Sequence, residues 1–93
     1  MTKTKIYKTI LKSDDSIIEL PEGAVILSAG VEHFTDQISI WYSFNSVNEY
    51  SVEKTHIYCV NTGHSFDKGT LDKFIGTVKT SNGIVWHVYE AIA

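Results

Sequence analysis

This chain has no arginine: all eight of its basic residues are lysines. Arginine is the residue that clamps phosphates bidentately and reads guanine edges, so its absence argues against sequence-specific recognition of duplex DNA. Cysteine occurs once, at Cys59, which excludes an internal disulfide and suits a reducing compartment. No apolar run approaches the ~20 residues of a membrane-spanning helix. The lysine-rich start has no apolar segment behind it of the kind a secretory signal carries. The expectation is a chain that begins near Met1, stays where it is made, in the cytoplasm, and has no membrane partner. A single proline and six glycines, with a net charge of −3 over 93 residues, leave an ordinary globular composition. At this length the chain is one domain, 1–93, because either half alone would have too little core to fold.

What is present is a succession of short β-branched and aromatic runs separated by turn residues, which predicts an all-β fold. Strands are expected over Lys5–Lys12, Ile17–Leu20, Val25–Phe34, Gln37–Phe44, Thr55–Asn61, Lys73–Thr80 and Ile84–Glu90. Seven strands at this spacing, mostly antiparallel, predict a sandwich or a partly open barrel. Pro21-Glu22-Gly23 and Ser81-Asn82-Gly83 are turns, the second an Asn-Gly hairpin signal. Val25, Leu27, Ala29 and Val31 would share one face, with Gly30 marking a bulge or a close backbone approach. Gln37–Phe44 alternates most cleanly: Ile38, Ile40, Tyr42 and Phe44 on one side, Gln37, Ser39, Trp41 and Ser43 on the other. Asn45–Lys54 reads as a polar loop, and Gly69–Phe74 could hold at most a helical turn. The lysines of the first strand (Lys3, Lys5, Lys8, Lys12) read as charge on a solvated edge, where it discourages unwanted strand pairing.

Alternation also leaves an unassigned second face. With Ile84, Trp86 and Val88 inside, Val85, His87 and Tyr89 point outward; Ile57 and Cys59 likewise oppose His56, Tyr58 and Val60. Trp41, Tyr58, His87 and Tyr89 are therefore candidate interface residues. Such a surface is either the second buried side of a sheet or the contact of a homo-oligomer. Asn61-Thr62-Gly63-His64-Ser65 gathers an amide, two hydroxyls, an imidazole and a flexible backbone position. Consecutive N–H groups beside a glycine can form an anion-binding concavity. The alternative is a turn whose side chains satisfy its own backbone. Trp41 or Trp86 could stack on a base, or belong to the core.

Catalysis has weaker support. His33, His56, His64 and His87 lack metal-ligand spacing, so neither a metal nor a cofactor is expected. Cys59 lies mid-strand, where a thiol acts as a small hydrophobe. His64 with Asp67 or Asp72 is the one acid–base pairing a small hydrolase could use, and the expectation is of a non-enzyme.

The blocks Ile18-Glu19-Leu20-Pro21-Glu22-Gly23-Ala24-Val25-Ile26-Leu27-Ser28, Thr62-Gly63-His64, Phe74-Ile75-Gly76-Thr77 and Val85-Trp86-His87-Val88-Tyr89-Glu90 resemble, in their order, a small β-rich family of phage and prophage proteins of unknown function. The resemblance spans nearly the whole chain and implies a viral origin and a site of action in the host bacterial cytosol. It brings no catalytic residues. Small phage proteins commonly bind host factors, and one group sequesters cyclic nucleotide or cyclic ADP-ribose immune signals. The expectation is thus a non-enzymatic protein that holds a small nucleotide-like ligand through Asn61, Thr62, Gly63, His64 and Ser65, with Trp41 or Trp86 stacking. The alternative is a module that docks a host enzyme or virion component through its aromatic face.

Overall fold

Two antiparallel sheets packed face to face account for the whole architecture. The computed structural model describes residues 3–92. Its strands are β1 (Thr4–Ile10), β2 (Asp15–Pro21), β3 (Val25–Val31), β4 (Ile38–Asn45), β5 (Val52–Asn61), β6 (Leu71–Lys79) and β7 (Val85–Ala91). One sheet has the order β1-β4-β3, the other β2-β5-β7-β6. The molecule measures 46 × 33 × 17 Å, and its thinnest dimension fits two sheets stacked about 10 Å apart. The all-β expectation is met, as an open sandwich.

The alternation of β4 drives the packing. Ile38, Ile40, Tyr42 and Phe44 are all buried, while Trp41 on the opposite side is exposed. Ile40 meets Ile57, Cys59 and Val88 from the other sheet, with Leu11 and Val78 completing the main cluster. A second cluster of Leu20, Tyr42 and Phe44 continues it, and Ile18 and Ile26 flank both. Leu11 is the plug at one end: it follows β1, donates its N–H to the Ile38 carbonyl at 2.8 Å, and is buried.

The expected face of β3 is corrected. Its pairing with β4 slips between Ile26 and Ser28, so one extra residue is accommodated there. The bulge reverses the alternation midway: Ile26, Ala29 and Val31 pack against the core, whereas Val25 and Leu27 are exposed. The bulge therefore lies upstream of Gly30. At Gly30 a Cβ would meet the side chains of Ser39 and Trp41 at 3.4 and 3.6 Å, ordinary van der Waals contact, so the close backbone approach expected there is not found.

Several boundaries also move. β5 begins at Val52 inside the segment expected to be a loop, because Val52–Lys54 pair with Glu19–Pro21 through the backbone while their side chains stay exposed. Only Ser46–Asn48, a 3-10 turn capped by Asn45, and the residues around it remain irregular. A second 3-10 turn, Lys68–Thr70, precedes β6. Both predicted turns form. Ala24 donates to the Pro21 carbonyl at 3.0 Å and Gly83 to that of Thr80 at 2.9 Å.

Candidate functional site

The residues that alternation turns away from the core assemble on the outer face of the four-stranded sheet. Cross-strand pairing aligns Asp15, Tyr58, Tyr89 and Phe74 in one row across all four strands. Ile17 and His56 flank this row on one side; Val60, His87 and Thr77 form the next row on the other. Phe74 packs edge-on against Tyr89, their ring centroids 5.3 Å apart, and Phe66 reaches the same ring at 6.2 Å. Phe66 comes from the β5–β6 connection, so this loop folds back over the sheet. Phe74 and Ile17 are 58 % and 68 % exposed, large apolar groups left in water on a broad surface.

His87 is fixed at the centre of that surface. Nε2 lies 2.7 Å from the Thr62 hydroxyl and Nδ1 lies 3.1 Å from the Thr77 hydroxyl. In the neutral ring one nitrogen donates and the other accepts, and each hydroxyl can play either part. Both ring nitrogens are thus engaged, and the imidazole ties the start of the loop to β6 and β7. His56 makes a close contact with the Asp15 carboxylate on the neighbouring edge.

The Asn61–Ser65 segment is a tight turn. His64 donates its N–H to the Asn61 carbonyl at 3.1 Å, and Thr62 donates to that of Val85, also at 3.1 Å. Gly63 occupies the third turn position with φ +88°, a left-handed conformation that favours glycine and defines a type II turn. The N–H groups of Thr62 and His64 therefore serve the chain itself, as does the Thr62 hydroxyl. His64 and Ser65 are exposed. Asn61, Thr62 and His64 border an open depression of about 500 Å³, whose other wall is Gly83, Ile84 and Val85 of the β6–β7 hairpin.

The tryptophans lie elsewhere. Trp41 is on the outer face of the three-stranded sheet, 40 % exposed, with the Lys8 ammonium 5.4 Å from its ring. Trp86 pairs in register with Asn61 but packs against the core between the sheets, lining a small cleft with Lys12, Asp36 and Gln37. The candidate ligand residues are thus divided among three places on one chain. The candidate interface is divided too: Tyr58, His87 and Tyr89 share a surface, and Trp41 is on the opposite sheet. Phe66 and Phe74, absent from the sequence-based candidates, are the exposed members of the aromatic face.

Asp67 and Cys59 have structural roles, while His64 and Asp72 are exposed. Asp67 caps the Lys68–Thr70 turn, its carboxylate accepting from the Gly69 N–H at 2.9 Å. Cys59 is buried, and this burial, reinforced by the Asp14 carboxylate, pushes its thiol up to about 12. Among the described residues no group of three or more His, Cys, Asp or Glu side chains is gathered as a metal site. Among the described residues no helix is long and apolar enough to cross a membrane.

Fold and site together define a small two-sheet β-sandwich with an aromatic, histidine-centred outer face. The chain belongs to the family described as a domain of unknown function (DUF7352), which matches residues 1–93. Neither the curated proteins nor the solved structures contain a match to it.

Proposed function

We propose that this protein is a non-enzymatic binding module that docks another protein through the outer face of the four-stranded sheet. The observation that carries this reading is the row Tyr58–Tyr89–Phe74, joined by Phe66 and set beside the immobilised His87. Small-molecule sites are concave and enclose most of their ligand, whereas this surface is broad and rich in tyrosine and phenylalanine. Aromatic side chains bury large areas for few rotatable bonds, which makes them the usual anchors of protein interfaces. The phage origin implied by the sequence resemblance makes a host enzyme or a virion component the natural partner, met in the bacterial cytosol.

The test is capture of a partner from host lysate by the wild-type chain, repeated with Phe74→Ser and Tyr58→Ser, and with Trp41→Ala as a control on the other sheet. A central aromatic anchor contributes about 2 kcal/mol or more. Each face variant should therefore weaken the captured complex about 30-fold, with Trp41→Ala unchanged. Equal loss in all three variants, or in none, defeats the assignment.

One observation favours a second reading, the binding of a nucleotide-like signal such as a cyclic nucleotide or cyclic ADP-ribose relative. The depression beside Asn61, Thr62 and His64 has the volume of a small-ligand pocket, and the neighbouring Gly63 and Ser65 are exposed. A ligand at 100 times its Kd would raise stability by about 2.7 kcal/mol. A thermal shift that His64→Ala abolishes, with the ligand recovered intact, would establish sequestration in place of docking.

A further inference from the structure

The two long edges of the sandwich are built differently. On one side lie β3 and β6, and both are bulged: β3 between Ile26 and Ser28, β6 between Leu71 and Lys73 and again between Phe74 and Gly76. Bulges bend an edge and spoil its ladder, one of the usual ways a protein protects a free strand. On the other side lie β1 and β2, and each pairs with its single neighbour over seven consecutive residues without a break. Nothing in their backbone geometry prevents a further strand from adding.

The free hydrogen-bonding groups of this edge follow from alternation. Lys3 and Leu11 direct their backbone groups at β4, through Ser46 and Ile38, so the odd-numbered residues of β1 face inward along the sheet. Ile6, Lys8 and Ile10 then present N–H and C=O groups to the open side. In β2 the carbonyl of Asp14 accepts from Cys59 and the N–H of Glu22 reaches Ser51, so the even-numbered residues face β5. Ile17 and Glu19 are turned outward, and Pro21 sits where its missing N–H costs the β5 ladder nothing. Between the two edge strands lies an open depression of about 370 Å³, bordered by Thr9, Ile10 and Lys12 on one side and Ser16, Ile18 and Glu19 on the other.

Charge selects what can fill this edge. Residues 3–12 carry Lys3, Lys5, Lys8 and Lys12 and no acid, a charge of +4; residues 13–22 carry Asp14, Asp15, Glu19 and Glu22 and no base, a charge of −4. The ion pairs among the described residues join Lys5 to Glu49, Lys8 to Glu32 and His56 to Asp15; none joins the lysine edge to the acidic edge of the same chain. Pairing β1 with β1 of another copy would oppose lysines to lysines, and pairing β2 with β2 would oppose acids to acids. Only the crossed arrangement brings opposite charges together.

We infer that the β1/β2 edge is a self-association site at which β1 of each copy pairs with β2 of a second copy, giving a reciprocal, closed dimer. Its apolar contacts are the exposed Ile10 and Ile17. Its charges fix partner and register, and the lysines act as guards against the wrong pairing. Because the contact is made at the edge, it takes up Ile17 but leaves the Tyr58–Tyr89–Phe74 row of the outer face free in the dimer. The inference does not depend on what that face binds.

Sedimentation equilibrium tests it. The wild-type chain should sediment at twice its 10.4 kDa mass, more weakly in high salt. A β1 variant carrying Lys3→Glu, Lys8→Glu and Lys12→Glu changes residues 3–12 from +4 to −2, three reversals of two charges each. A β2 variant carrying Asp14→Lys, Glu19→Lys and Glu22→Lys changes residues 13–22 from −4 to +2. Each variant alone opposes like charges and should be monomeric; mixed one to one they should form a heterodimer. Monomeric wild type at high micromolar concentration, charge variants that dimerise as well as wild type, or a mixture that stays monomeric would overturn the inference. Should either charge variant fail to fold, Ile17→Pro decides. It removes an outward N–H while leaving the β5 ladder intact, so a folded monomer supports the edge pairing and a folded dimer refutes it.

Discussion

The bulged edge and the regular edge of this sandwich show two ways of treating the same liability. At the β3/β6 edge the two sheets approach each other: a Cβ placed on Gly76 would lie 3.8 Å from both the Cβ and the backbone nitrogen of Ala29. There the bulges of β3 and β6 interrupt both ladders. At the β1/β2 edge both ladders run unbroken, and protection is left to charge. Backbone distortion blocks every partner, whereas charge blocks only partners of the same sign. The second edge is therefore selective where the first is closed.

The largest effect should come from forcing the closed edge apart. Gly76→Leu drives a branched side chain against Ala29 of the facing strand, and overpacking of this kind costs about 1–3 kcal/mol. In a domain of this size each kcal/mol moves Tm by about 4–8 °C, so thermal denaturation should show a clear loss. Gly76→Ala is the control. Its Cβ makes only ordinary van der Waals contacts, and its Tm should equal or slightly exceed that of the wild type. Equal tolerance of leucine and alanine would mean that the two edges do not differ in closure.

A smaller, pH-dependent effect is expected where the sheets are joined at one end. Asp36, in the β3–β4 turn, holds a left-handed φ of 60°. It accepts hydrogen bonds from the Ser81 hydroxyl and, at 3.0 Å, the Ser81 N–H in the β6–β7 hairpin. The hydroxyl first and the N–H second hold its carboxyl below the usual carboxylate range. A depressed folded-state value means stability that is present above the unfolded value, about 3.9, and lost as pH falls through the folded one. Asp36→Asn keeps a residue that tolerates this φ and removes the charge. Its Tm should lie modestly below wild type at neutral pH and converge with it in acid. A constant difference across the range would separate the loss from ionisation.

Much of the fold was legible because it is local. The strict alternation of Gln37–Phe44 set Ile40 and Trp41 on opposite sides, and the Asn82-Gly83 turn placed the last hairpin. What was not legible depends on pairing. The bulge at Ile26–Ser28 is an accommodation to β4 with no composition of its own, so counting by twos from Val25 put Val25 and Leu27 on the wrong side. Val52–Lys54 carry no apolar alternation, and only their partners in β2 make them a strand. The site divides in the same way. His87 and Tyr89 announced themselves as outward residues, but Thr62 and Thr77 lie 25 and 10 residues from His87 and meet it only through the sheet order. That order also sends Trp41 to the opposite layer, which no property of its own strand reveals. Phe74 was visible as an aromatic in a strand, yet the bulge beside it hid its face.

The subtlest consequence of unequal edges is kinetic, and Cys59 reports it. The thiol is buried in the main cluster beside Leu11, which closes the β1/β2 end, and the Cys59 N–H donates to the Asp14 carbonyl at 2.7 Å. With its thiol raised to about 12, almost none is ionised at neutral pH, so the folded protein should resist alkylation by iodoacetamide. Labelling then requires opening. If the β1/β2 edge is the weaker one, β1 and the Leu11 plug should detach before the rest, and labelling should proceed through this partial opening with a weak dependence on denaturant. Dimerisation at the same edge would slow it further, so the labelling rate should fall as protein concentration rises. A rate that follows global unfolding, with the full denaturant dependence and no concentration effect, would show that the two edges are held equally well and that their difference in shape has no counterpart in stability.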